Sequence, residues 1–376
     1  MYDVIVIGAG PAGLVCAAEL EKLGEKVIVI EKDKRIGEPV ECAGLFNIDG
    51  LGRLGIKKGP YVLNEARGAR FISASGAFAE IKAKESKAYV TDRGEFDRFL
   101  AKSYKGELTL GEAAVSARRV KGGFEVATPE RKLEGKQVVI ATGHDTAIHK
   151  FFGLEAPKQF ISTAQCEIKG VTGGKDFVEM YVGSVAPGFF AWVIPVSDDT
   201  ARIGVGVCEG NVHEHMEGFL KRLKKEGRFK EKNKVLCKSG GLIPLYEPGL
   251  AVEKNGAYLV GDAAGQVKAT TGGGVMIGCL AAKTLARAIH DGSNYERNLE
   301  VINKELYNHL LIRNVINKFG DEQYEHMVAF LNRPEIKKII EEKGDMDFVG
   351  PLMDAVMSNP AMMMQALKFL GKGVMF

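Results

Sequence analysis

Three glycines at the spacing Gly8-x-Gly10-x-x-Gly13 stand between a β-branched run at residues 4–7 and a helical segment at 17–23. Residues of this type and spacing are suited to holding a pyrophosphate. Gly8 permits the tight turn, Gly10 lets phosphates reach the backbone, and Gly13 allows close helix–strand packing. The helix N-terminus supplies amide donors and a favourable dipole. A second β-branched run, 27–30, closes on Glu31, where a carboxylate can accept hydrogen bonds from ribose hydroxyls. Strand, turn, helix, strand and acid within about 30 residues read as a dinucleotide site. The bland alternative is a glycine turn with a surface glutamate.

A second pair of features narrows the nucleotide. Val260-Gly261-Asp262-Ala263-Ala264 is followed by Thr271-Gly272-Gly273-Gly274-Val275. A strand ending in Gly-Asp can present a carboxylate to a ribityl hydroxyl. A glycine run at a helix start can set amides against a flavin's pyrimidine edge, where negative charge gathers on reduction. Both favour FAD over NAD. Here the sequence resembles FAD proteins of the p-hydroxybenzoate hydroxylase type, and Arg93-x-x-Phe96-Asp97-x-x-Leu100 strengthens the likeness, since that family places an Arg-x-x-Leu-Asp motif beside the cofactor. The expected cofactor-binding set is Gly8, Gly10, Ala12, Gly13, Glu31, Cys42, Ala43, Gly44, Arg93, Val115, Asp262, Gly273, Gly274 and Val275.

Two further segments resemble the geranylgeranyl reductases, the archaeal prenyl lipid reductases within that FAD group. Gly37-Glu38-Pro39-Val40-Glu41-Cys42-Ala43-Gly44 looks like their Cys-Ala-Gly loop, which passes near the flavin. Pro187-Gly188-Phe189-Phe190-Ala191-Trp192-Val193-Ile194-Pro195 resembles their Tyr-x-Trp-x-Phe-Pro motif, with Phe190 and Ile194 as departures; Ala269 departs from a common proline. The resemblance implies an isoprenoid pocket lined by Phe190 and Trp192. It also implies saturation of geranylgeranyl C=C bonds in isoprenoid membrane lipids or their precursors, with hydride from reduced FAD N5. An isolated alkene is not electrophilic, so an acid must protonate its other carbon. Cys42 and the flavin itself are the candidates. Trp192 could instead be ordinary core, and Cys42 an inert thiol. The rivals are an aromatic monooxygenase, a halogenase, an electron-transfer flavoprotein serving quinone and a non-catalytic flavin-binding module. A halogenase is disfavoured because the first tryptophan of its Trp-x-Trp-x-Ile-Pro is absent.

These residues need elements to position them. Strand patterns recur at 69–72, 88–91 and 138–143, a charged helix is expected at 95–104, and short antiparallel strands at 160–207. Helices are expected at 213–226 and 281–289, and most of 295–376 reads as helices separated near Pro334, Pro351 and Pro360. The fold class is α/β: a Rossmann-like FAD-binding domain interleaved with an antiparallel-sheet substrate domain, plus a helical C-terminal region. The expected boundaries are 1–60, 92–155 and 251–292 for the first, 61–91 and 156–250 for the second, and 293–376 for the third.

Composition supports a soluble globular chain: 376 residues, 45% hydrophobic, 26% charged, with a net charge of +3 that does not argue for nucleic acid. Glycine, at 46 residues, exceeds the usual ~7%, as expected where backbone must approach a ligand. Six scattered cysteines, none close to another in sequence, allow no zinc pair and no iron–sulfur run, so no metal site is expected. They fit reduced thiols in the cytoplasm. No leader or membrane-spanning run is apparent. Lys221, Arg222, Lys224, Lys225, Arg228, Lys230, Lys232 and Lys234 form a basic stretch, read either as a solvated helix face or as peripheral contact with lipid head groups on the cytoplasmic face of the membrane. More than half of the methionines, including Met362-Met363-Met364, fall from Met346 onward, as a pliable lining for long apolar ligands or as helix packing. The expected partners are an isoprenoid lipid and an external reductant, reduced ferredoxin or NAD(P)H, since no second nucleotide fingerprint is present.

Overall fold

The structure is a computed structural model that describes residues 1–358. Pro360 and Met362-Met363-Met364 lie outside the described residues. The α/β expectation holds. Internal contacts divide the chain into two compact units that alternate along the sequence.

The first unit comprises 1–40, 93–160 and 243–307. Its centre is a parallel sheet in which Tyr2–Ile7 lies between Val27–Glu31 and Lys132–Ile140, with Val4 opposite Val27 and Ile7 opposite both Ile30 and Ile140. Glu107–Leu110 and Ala257–Leu259 extend it on either side. Val4, Ile5 and Val6 are fully buried, as a strand covered on both faces requires. Lys132–Ile140 records its two environments in its pattern. Its first half alternates exposed and buried residues where it pairs antiparallel with Gly123–Ala127, and its last three residues are all buried within the parallel sheet. The helices Pro11–Lys22 and Val275–Asp291 pack together through small and aliphatic residues such as Ala17, Leu20, Ala281 and Leu285.

The second unit comprises 41–92, 161–242 and the described chain from Asn308 onward. A seven-stranded, mainly antiparallel sheet carries Phe160–Val171, Phe177–Tyr181, Ala191–Pro195 and Thr200–Val207 at its centre. The pleat sorts Ala191–Pro195 by parity. Ala191 and Val193 face a cluster capped by Met216, Phe219 and Leu223 of the helix Val212–Lys225, whereas Trp192 and Ile194 face Ala66, Ala88 and Val90 of a three-stranded sheet.

Two boundaries differ from expectation. Residues 41–60 group with the second unit because Leu45–Asn47 pairs antiparallel with Ala88–Thr91. The C-terminal helices do not form a third body: residues to 307 group with the first unit and the rest with the second. The basic stretch also divides. Lys221 to Lys225 end the helix Val212–Lys225, where cations suit the helix dipole, but Lys230, Lys232 and Lys234 lie on a long edge strand, Phe229–Pro244. Arg228 is not a surface charge, since it grips Glu179 at 2.8 and 3.2 Å and Tyr181 Oη at 3.1 Å. Among the described residues no helix is long and apolar enough to cross a membrane.

Phe219 is fully buried and meets the Tyr181 ring edge-on at 4.9 Å. Phe219→Ala is expected to cost about 3–5 kcal/mol, read as a lower denaturation midpoint in urea.

Candidate functional site

The fingerprint turn takes its shape from two glycines that have no room for a side chain. Gly8 adopts φ +105°, and a Cβ there would collide with the Ala141 carbonyl; a Cβ on Gly13 would strike the carbonyl of Gly8. Gly10 is different. Its φ is −73°, and a Cβ there would meet nothing within 4 Å, so its backbone faces open space at the start of the helix Pro11–Lys22. No side chain caps that N-terminus, and its first turn carries no acid. The orphan amides of such an end favour an anion. Glu31 accepts from the Ala9 amide at 2.6 Å and the Asp33 amide at 2.9 Å, which fixes its carboxylate beside the glycine turn.

The second signal, remote in sequence, arrives at the same place. A Cβ on Gly261, at φ +70°, would lie 2.9 Å from the Ala12 Cβ, and one on Gly278 would lie 3.0 Å from the Gly261 Cα. The turn Gly261–Ala264 and the helices Pro11–Lys22 and Val275–Asp291 therefore converge with almost no intervening side chain. A Cβ on Gly274 would lie 2.6 Å from Asp262 Oδ1, so Asp262 stands at the uncapped N-terminus that Gly274 and Val275 begin. Burial pushes the Asp262 carboxyl above its ordinary range, against the pull of Arg93 and His144. Arg93 pairs with Asp97 at 3.2 Å, and burial raises Asp97 too, with Arg93 opposing and Glu31 adding to the rise. Gly273 sits over the Lys268 side chain. Val115 is exposed and hydrogen-bonds through its amide to Ala127 beside the strand Ser116–Val120.

In the second unit the Cys42-Ala43-Gly44 loop is pinned by residues that the sequence reading missed. Arg202 Nη1 donates to the carbonyls of Ala43 at 2.9 Å and Thr91 at 2.7 Å, while its Nε pairs with Glu167 at 2.9 Å. Thr91 gives its amide and its hydroxyl to the Gly44 carbonyl at 2.7 and 2.9 Å. Gly44 has φ +70°, and a Cβ there would lie 2.6 Å from both the Thr91 carbonyl oxygen and Arg202 Nη1. The Gly44 amide donates to Cys42 Sγ at 3.4 Å. One signal was available: Arg202 interrupts the apolar run 201–207, where an arginine is retained only with firm partners.

Phe190 and Trp192 project to one face, edge to face at 6.0 Å, and Ala43 packs against the same cluster. Trp192 is 7% exposed, donates through Nε1 to Gln165 at 3.0 Å, and lies flat over Gly204, where a Cβ would collide with the indole. Phe190 is half-buried.

The first unit's architecture and its two glycine-rich helix starts define an FAD-binding α/β flavoprotein. A model of the FAD binding domain matches residues 3–50, and one of the geranylgeranyl reductase catalytic domain matches residues 159–243. The chain is 30% identical over 372 residues to the digeranylgeranylglycerophospholipid reductase of Methanocaldococcus jannaschii, covering 91% of this chain and 94% of the relative. It belongs to the digeranylgeranylglycerophospholipid reductase family. Among solved structures, a geranylgeranyl bacteriochlorophyll reductase-like protein from Thermoplasma acidophilum matches with a TM-score of 0.85 at 22% identity, covering 98% of this chain and 99% of that one. A flavin-dependent brominase matches with a TM-score of 0.69 at 18% identity, covering 95% and 99%. At these identities the likeness is one of fold alone.

Two substitutions separate holding the cofactor from holding the fold. Gly10→Ala is expected to leave the melting temperature nearly unchanged but to weaken FAD binding about tenfold or more, because its Cβ enters space that the pyrophosphate needs. Asp262→Ala removes a charge-assisted acceptor worth ~1.5–3 kcal/mol. Titration of FAD into apoprotein checks both; wild-type affinity in both variants would remove these residues from the cofactor site.

Proposed function

We propose that this protein is an FAD-dependent reductase that saturates C=C bonds of geranylgeranyl chains in isoprenoid membrane lipids or their precursors. The observation that carries this reading is the meeting, within one unit, of two segments remote from each other in sequence: the Cys42-Ala43-Gly44 loop and the aromatic face of Phe190 and Trp192, joined through the cluster that Ala43 shares with them. Both segments are the ones by which the sequence resembles prenyl reductases.

The cofactor's phosphates would be held by the amides of Gly10, Ala12 and Gly13, its ribose by Glu31 and its ribityl chain by Asp262. Bound and reduced, the flavin supplies hydride from N5. The chain must then orient an apolar substrate, exclude water and deliver a proton to the second alkene carbon. Phe190 and Trp192 offer apolar ring surface, and Gln165 occupies the indole N–H, which leaves no unpaired donor on Trp192 to compete. We assign the proton to Cys42 Sγ. The Gly44 amide keeps a hydrogen bond to that sulfur after the proton leaves, and Arg202 with Thr91 keeps the loop from moving. Arg202 is a positioning residue. Electrons come from an external donor, reduced ferredoxin or NAD(P)H. The exposed Lys230, Lys232, Lys234 and Lys238 beside exposed Val235 and Leu236 on the edge strand support peripheral contact with an anionic lipid surface.

Incubation of the dithionite-reduced holoprotein with geranylgeranyl lipids, followed by mass spectrometry, should show mass gains in steps of two hydrogens. No gain over flavin-free protein rejects the reading. Cys42→Ser should retain FAD but slow single-turnover flavin reoxidation by lipid roughly 10²–10⁴-fold, the usual worth of general acid catalysis. A rate within a few-fold of wild type assigns the proton to the flavin or water instead. Trp192→Ala should impair lipid turnover with the flavin spectrum intact, whereas loss of fold with normal residual activity would make Trp192 a core residue only.

A further inference from the structure

Arg313, on the helix Glu300–Ile316, is a buried cation, only 3% exposed, that no carboxylate pairs with among the described residues. Nη2 donates to Cys208 Sγ at 3.0 Å, the guanidinium carbon lies 5.0 Å from the centre of the Phe189 ring, and Nε has no hydrogen-bond partner among the described residues. Asp321 accepts at Oδ1 from the Ser184 amide at 2.7 Å and makes no ion pair with Arg313. A guanidinium offers five N–H donors in a rigid fork suited to two oxygens of one anion. A thiol sulfur is a weak acceptor, and a buried cation with so little to hold is costly to keep. The buried Arg202 and the partly buried Arg228 of this unit are not treated this way: each holds a glutamate.

What lies beside the guanidinium says which anion. Phe189 stacks on Phe190 at 4.1 Å, and Phe190 meets Trp192 edge-on at 6.0 Å, so three rings follow one another in contact from the charge. Cys208 is exposed, and its Sγ also donates to the Gly188 carbonyl at 3.3 Å. The sulfur that holds Nη2 thus belongs to an exposed residue and is a weak acceptor, which an oxyanion can displace. A ligand matching this layout has an anionic head and a long apolar chain.

We propose that Arg313 receives a phosphate oxyanion of the substrate while the prenyl chain lies along Phe189, Phe190 and Trp192. This rests on the prenyl-reductase reading for the chain's identity, but not for the anion. The same chemistry could be met by a phosphate esterified to the lipid or by free inorganic phosphate, and the two are separable.

The protein contains a single tryptophan, Trp192, two rings from the charge, so its fluorescence reports occupancy without turnover. Oxidised holoprotein is titrated with geranylgeranyl phosphate, with geranylgeraniol and with inorganic phosphate alone. Wild type should bind the phosphate ester about ten- to a hundredfold more tightly than the alcohol, as charge-assisted hydrogen bonds imply. In Arg313→Met that preference should vanish, and in Arg313→Lys, which keeps the charge without the fork, it should fall in between. Arg313→Met should also melt no lower than wild type, because it removes a buried charge that no carboxylate among the described residues pairs with. A structural arginine would instead give a destabilised variant with the preference intact in whatever remains folded, and that result overturns the proposal. Inorganic phosphate binding as tightly as the ester would make this a free-phosphate site and reject the substrate assignment. If the ester binds through Arg313 but the lipid assay above shows no hydrogen gain, the reductase reading fails and the anion site stands.

Discussion

A side chain at Gly13 has nowhere to go, and much of the first unit follows from that. Because helix and strand touch through bare backbone at Gly8 and Gly13, the helix N-terminus is drawn to the carboxyl end of the central parallel strand. Ala12 and Gly261 repeat the same condition for the turn that carries Asp262. Two helix ends with free amides and two carboxylates are thereby brought together by sterics before any electrostatic argument begins. The amides favour negative charge; the carboxylates, Glu31 held by fixed amide donors and Asp262 under the pull of Arg93, favour hydroxyls. That division suits a molecule with a pyrophosphate in its middle and polyol chains on either side.

The second unit is ordered by the pleat. Alternation along Ala191–Pro195 sends small and branched residues toward the helix Val212–Lys225, and Trp192 and Ile194 toward the small sheet. The loop at Ala43 packs against the second of these faces, and it is held by Arg202, whose Nε pairs with Glu167 and whose Nη1 donates to two backbone carbonyls. A buried ion pair of this kind contributes little net stability relative to an apolar substitute. Its use here is geometric, since it fixes one tight turn against two strands.

The glycine fingerprint, the central parallel strand and the fold class were legible in the sequence, because each depends on near neighbours in the chain or on short-range periodicity. So was the placement of Phe190 and Trp192 on one face, which a period of two dictates. The roles of Arg202, Arg228 and Arg313 were not. Their partners Ala43, Glu179 and Cys208 are remote in sequence, and although the apolar run 201–207 marks Arg202 as buried, nothing local names its partners. Arg228 was counted within a basic run and proved to be the inner partner of Glu179. The strand Phe229–Pro244 was hidden for a related reason: its residues are exposed on both faces over most of its length, so no apolar alternation announces it. Local spacing settles which backbone shapes are possible. Tertiary structure alone decided which charges are answered, because burial and pairing are properties of segments that meet only after folding.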